Sequence, residues 1–116
     1  MSYALLAVKA ALTLAFVAAG ISKLAGADMM IGIFDAVGVG QWFRYVTGVV
    51  EIAGAALLWM NGRQAYGAAL LGATMAGATI AHLTVLGTSA VPAIVLGLLS
   101  APVLWWHRDQ VIGAAA

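Results

Sequence analysis

No Asp, Glu, Lys or Arg occurs between Arg63 and Arg108, a run of 44 residues. As one helix, residues 64–107 would extend about 66 Å at roughly 1.5 Å per residue. The hydrocarbon core of a bilayer is only about 30 Å thick. The run is too long for one crossing and suits two. Gly87-Thr88-Ser89, with Pro92 just beyond, marks a break near its middle. The pattern predicts a transmembrane hairpin with spans at about 64–86 and 91–107. Thr88 or Ser89 is placed to cap the second span, and Pro92 suits its first turn, where a missing N–H costs nothing. Pro102 lies inside that span and should kink it, freeing the carbonyl of Leu98.

Two more apolar segments precede the hairpin, at about 3–23 and 43–60. Lys9 interrupts the first, close enough to its end for the amine to snorkel to the headgroups. Ala18-Ala19-Gly20 would permit cleavage of a leader, but no basic residue precedes Lys9, so a retained span is expected. The second segment begins near Arg44, ends before Arg63 and carries Glu51 well inside. Between the two segments, Met29, Met30, Ile33, Phe34 and Val37 recur at helical spacing beside Asp28 and Asp35. That spacing predicts a short amphipathic helix at the interface, ended by Gly38 and Gly40. Asn61-Gly62-Arg63 predicts a tight turn. The expected fold is all-α: one domain over residues 1–116, a polytopic four-helix transmembrane bundle with the amphipathic helix between helices 1 and 2. Ala73, Gly77 and Ala81 fall at four-residue steps, and Gly48 and Gly54 flank Glu51; both sets are expected to pack helix against helix.

Composition agrees. Hydrophobic residues make up 65% of the chain and charged residues 8%, against about 45–50% and about 25% in soluble domains. A net charge of +1 offers no basic stripe for nucleic acid. The absence of cysteine excludes disulfide exchange, thiolate metal sites and iron–sulfur ligation. Lys9, Arg63 and Arg108 fall on the side holding both termini, Lys23 and Arg44 on the other. The positive-inside rule then places both termini in the cytoplasm. Tyr3, Trp59, Tyr66, Trp105 and Trp106 mark the terminal side, and Trp42, Phe43 and Tyr45 the loop side, as interfacial belts.

Glu51 is the strongest chemical signal. It lies about eight residues past Phe43, roughly 12 Å below the loop-side surface. A carboxylate at that depth must be protonated, paired or beside a wet cavity. His82 approaches the same side from the third helix, one turn beyond Thr79. Lys23 ends the first helix there, and Arg44 opens the second. Lys23, Arg44, Glu51 and His82, with Tyr45 close by, therefore converge on one half of the membrane as a candidate ligand or proton-relay site. The alternative for each is structural: Lys23 and Arg44 snorkelling, His82 bonding a carbonyl, Glu51 in an ion pair that fixes the bundle. His82 and His107 lie on opposite sides, so neither bis-histidine haem nor a metal site is expected. His107-Arg108-Asp109 reads as a polar stop at the membrane surface.

Four motifs in order carry a resemblance: Gly20-Ile-Ser-Lys23-Leu24, then Val37-Gly38-Val39-Gly40-Gln41-Trp42-Phe43-Arg44-Tyr45, then Gly48-Val-Val-Glu51-Ile-Ala-Gly54, then Ala78-Thr-Ile-Ala81-His82. Across nearly its whole length the chain resembles the DoxX-like family of small four-helix membrane proteins. The resemblance implies a bacterial inner-membrane protein and an association with quinone-linked sulfur oxidation. It also implies that Lys23, Glu51 and His82 stand at the family's polar positions. The lack of cysteine departs from any thiol chemistry. Three functions are expected in order: a membrane subunit of a redox assembly holding a quinone near Glu51, a non-enzymatic assembly protein, and a proton or small-solute path. The chain alone is not expected to be catalytic. Its partners are expected to be lipid, further copies of itself, or redox-complex subunits.

Overall fold

Along the first helix the inward positions are Leu5, Lys9, Leu12, Phe16 and Gly20, one stripe stepping by three or four residues as a helix packed on one face requires. The computed structural model describes residues 3–87 and 89–115. All regular structure among them is helical: α1 (Tyr3–Ala25), α2 (Asp28–Val37), α3 (Trp42–Leu57), α4 (Gln64–Ala81) continuing into a π-helical turn (His82–Leu86), α5 (Val91–Trp106) and α6 (Asp109–Ala115). On α3 the inward stripe is Arg44, Gly48, Glu51 and Ala55, with Gly54 beside it. The long helices pack in chain order, α1 on α3, α3 on α4 and α4 on α5, with a lesser seam between α1 and α5. The core is Leu12, Phe16, Leu58, Leu71 and Val103, all fully enclosed.

The outside of this bundle is apolar. Leu14 is 75% exposed, Leu83 71% and Leu98 67%. Water would penalise such a surface, whereas lipid solvates it. Tyr3–Ala25 and Gln64–Leu86 are each long and apolar enough to cross a bilayer, and Val91–Trp106 is apolar but shorter. The longest dimension, 40 Å, fits a bilayer of about 40–45 Å including its headgroups. The protein is a membrane protein.

The amphipathic helix forms as expected. Gly38 closes α2 with a left-handed φ of 83°, donating its N–H to the Phe34 carbonyl, a cap that favours glycine. Phe34 is buried, whereas Met29 points outward. The Asn61-Gly62-Arg63 turn is also present, with Gly62 at φ 80°. Ser89 accepts a hydrogen bond from the Val91 N–H at 3.3 Å, one residue before the N-cap position, Ala90; Thr88 lies outside the described residues. Helix α5 runs on through Pro102.

Four expectations need correction. Lys9 does not snorkel. It is 1% exposed, because it shares the inward stripe with Leu5 and Leu12. Ala73 and Gly77 do not pack the bundle; both face outward, and no atom lies within 4 Å of a methyl group built on Gly77. The third span is not uniformly α-helical, since the Gly87 N–H reaches back five residues to the His82 carbonyl. Residues after Arg108 are not only a polar stop, because α6 follows.

The seams between helices are set by glycine. A methyl group on Gly48 would lie 3.0 Å from the Gly20 carbonyl oxygen and 3.1 Å from the Lys23 Cβ. On Gly67 it would lie 2.7 Å from the Gly54 carbonyl oxygen. Both crossings bring backbone onto backbone, where no flexible side chain can yield. Gly48→Ala and Gly67→Ala are therefore each expected to destabilise the protein by about 1–3 kcal/mol through overpacking. Gly77→Ala, on the open face, should be near neutral. Thermal unfolding in detergent checks the contrast.

Candidate functional site

The Gly20–Gly48 crossing explains how Lys23 meets Glu51. Side chains tilt toward the N-terminus of their own helix. Because α1 and α3 run antiparallel, Lys23 leans into the membrane and Glu51 leans toward the loop side. The Lys23 stem passes over Gly48, where a side chain would obstruct it. The ammonium Nζ then stands 2.7 Å from Glu51 Oε1. Glu51 is 1% exposed and Lys23 12% at the side chain. Oε1 receives this charge contact without an aligned hydrogen bond. The pair joins the last turn of α1 to the middle of α3.

Arg44 belongs to the same structure without pairing to Glu51. Its Nη1 donates to the backbone carbonyl of Lys23. Its Nε donates to Gln41 Oε1 at 2.8 Å, and its guanidinium lies 4.3 Å over the Tyr45 ring. Arg44 is buried, so it does not snorkel. The carbonyl it binds lies in the final turn of α1 and also accepts the Gly26 N–H at 3.3 Å, so Arg44 supplies its second hydrogen bond. Gln41 extends the chain outward, donating to Asp35 Oδ1 at 2.7 Å and to the Ile31 carbonyl at 3.0 Å. A polar thread thus runs from α2 through Gln41 and Arg44 to the backbone of the residue that neutralises Glu51. Lys23, Glu51, Arg44 and Tyr45 stand together. His82 stands on the π turn, which packs against α2 rather than on the α1–α3 seam. Asp35 and Gln41 were missed as partners; Gln41, three residues before Arg44 at the start of a helix, was the available signal.

A second polar group occupies the terminal side. Lys9 Nζ lies 5.0 Å from the centre of the Trp59 ring, and Trp59 Nε1 donates to Thr13 Oγ1 at 2.7 Å. Gln110 fastens α6 to the start of α4: its Nε2 donates to Gln64 Oε1 and its Oε1 accepts from the Ala65 N–H at 2.8 Å. His107, the first residue beyond α5, has Nδ1 3.4 Å from Gln110 Nε2, while its buried Nε2 has no partner among the described residues. Burial holds the His107 imidazole below its ordinary range, and the nearby Lys9 charge lowers it further. This group too was missed. The signal was the spacing of Lys9 from Leu5, Leu12 and Phe16, which puts it on the buried face.

Two outcomes follow. Removing one partner of the buried pair, by Lys23→Met or Glu51→Leu, should cost about 3–5 kcal/mol, because it strands a charge, whereas the double replacement should cost far less. A double-mutant cycle on thermal stability measures this. At the other end, the folded state favours neutral His107, so the unfolded chain takes up its proton first as pH falls. That stabilisation is complete above an ordinary imidazole pKa of about 6.5 and declines as pH drops below it. His107→Gln should flatten this part of the stability–pH curve, as followed by unfolding between pH 5 and 8.

Comparison with known proteins adds a family. No curated protein and no solved structure matches this chain. A family model, the DoxX-like family, matches residues 7–115. That match takes in both polar groups, α3, α4, α5 and all but the first turn of α1, and the chain belongs to the DoxX-like family.

Proposed function

We propose that this protein is a small four-span subunit of a bacterial inner-membrane assembly, structural rather than catalytic by itself. The spans are α1, α3, α4 with its π turn, and α5, with both termini in the cytoplasm. The observation that carries this reading is the sealing of the Lys23–Glu51 pair. A reacting centre needs room for substrate beside its charged groups. Here a single methyl group at Gly20 or Gly48 would already collide with backbone, and Glu51 is enclosed at 1% exposure. A buried pair so placed fixes the register of two helices, a well-attested use of buried charge. The outward small residues of α4, Ala69, Ala73, Ala76 and Gly77, are consistent with close approach by another helix, from a second copy or a redox-complex subunit.

A second reading keeps the same residues for a quinone bound on the loop side. The thread from Asp35 through Gln41 to Arg44 favours it, as does the missing aligned hydrogen bond on Glu51 Oε1. In that reading Lys23 or His82 donates to a quinone oxygen, Tyr45 flanks the ring and Glu51 exchanges protons within an oxidoreductase complex.

One experiment separates the two. Crosslinking in native membranes should trap a defined partner. Added quinone should leave the melting temperature of the purified protein unchanged, and none should be extracted with its lipids. A protein that stays monomeric and partnerless overturns the assembly reading. Co-purified quinone that is lost in Glu51→Gln transfers the site to the second.

A further inference from the structure

The terminal end of the α1–α5 seam opens into a groove of about 280 Å³, walled by Ala4, Leu5 and Val8 from α1 and by Pro102, Trp105 and Trp106 from α5. Ala4 to Val8 is one helical turn, so the groove descends about 6 Å along the helix axis. It starts at Trp105 and Trp106, the residues expected to form an interfacial belt, and runs inward between apolar side chains. Arg108 stands over one of its walls. The guanidinium carbon lies 4.2 Å from the centre of the Trp105 ring, and Nη1 donates to the Trp105 carbonyl at 2.8 Å. A guanidinium carries five N–H donors in a fixed fork, so most of that fork is available to a ligand. Arg108 is exposed. Asp109, its acidic neighbour, begins α6, and no ion pair joins the two among the described residues.

We infer that this groove binds one chain of a phospholipid whose anionic phosphate is held by Arg108. The arrangement matches both ends of such a molecule. The groove offers apolar walls to an acyl chain, and the stacked guanidinium offers planar, paired donors to phosphate oxygens. Stacking on Trp105 restricts the guanidinium before the ligand arrives, which reduces the ordering lost on binding. A free phosphate would satisfy the arginine but leave the groove without a role. A zwitterionic lipid would fill the groove, but its own cation offsets the attraction.

The test uses the full chain in nanodiscs of phosphatidylcholine doped with phosphatidylglycerol, with retained lipid counted by native mass spectrometry on release into detergent. The native protein is expected to retain phosphatidylglycerol about fivefold over its share of the bilayer, the equivalent of roughly 1 kcal/mol for one basic residue near the surface. Arg108→Gln should abolish that preference, and Arg108→Lys, which keeps the charge, should retain part of it. Arg63→Gln, a loss of charge on the same side but outside the groove, should leave it intact. Ala4→Phe, which fills the groove from an exposed position, should lower retention of both lipids. A melting curve in detergent establishes that each variant is folded. Equal retention of the two lipids overturns the inference, as does a preference unchanged in Arg108→Gln or lost equally in Arg63→Gln. Displacement of the lipid by inorganic phosphate alone would also overturn it, since the ligand would then be a soluble anion.

Discussion

The Gly20 carbonyl and the backbone of Gly48 come so near that a single methyl group between them has no place to stand. This contact draws α1 and α3 together and leaves Gly48 without a side chain where the Lys23 stem passes. The charge on Glu51 can be tolerated in a low-dielectric interior only because an ammonium reaches it. The ion pair therefore depends on the glycines. In the proposed reading the pair, rather than the glycines alone, fixes the register of the two helices. Arg44 then closes the arrangement by holding the Lys23 carbonyl at the end of α1 and, through Gln41, the amphipathic helix α2.

The opposite end of the bundle follows a different logic. There the buried polar atoms are mostly amides and an imidazole, joined through Gln110, and the cation Lys9 lies against an indole face. The amides and the imidazole are less costly to enclose than a charge; the enclosed cation Lys9 is the exception, and it lies against the Trp59 ring. The two ends are held differently: an ion pair joins α1 to α3, and hydrogen-bonded amides fasten α6 to the start of α4.

Both readings of function rest on the same few atoms, and the difference between them is space. A carboxylate with its counter-ion against it and backbone on either side is a fastening. The same carboxylate beside an opening would be a proton exchanger. The π turn at His82 illustrates how such openings arise, since widening one helical turn shifts the residues beyond it around the axis. In this chain that turn lies against α2, away from the α1–α3 seam.

Much of this was legible in the chain. The uncharged run before Arg108, the spacing of Met30, Ile33, Phe34 and Val37, and the glycines after them determine helices, turns and a lipid environment, because hydrophobic period and turn chemistry are local properties. The convergence of Lys23 and Glu51 was also readable, since antiparallel neighbours place both near the loop side. Only the tertiary structure decided that Lys9 is enclosed, that Arg44 serves a carbonyl rather than Glu51, that the turn bearing His82 packs against α2, and that Ala73 and Gly77 face outward. A small or charged residue on a helix carries no label for the neighbour it will meet. That choice belongs to the rotation of each helix, which is fixed only when backbones such as those of Gly20 and Gly48 come into contact.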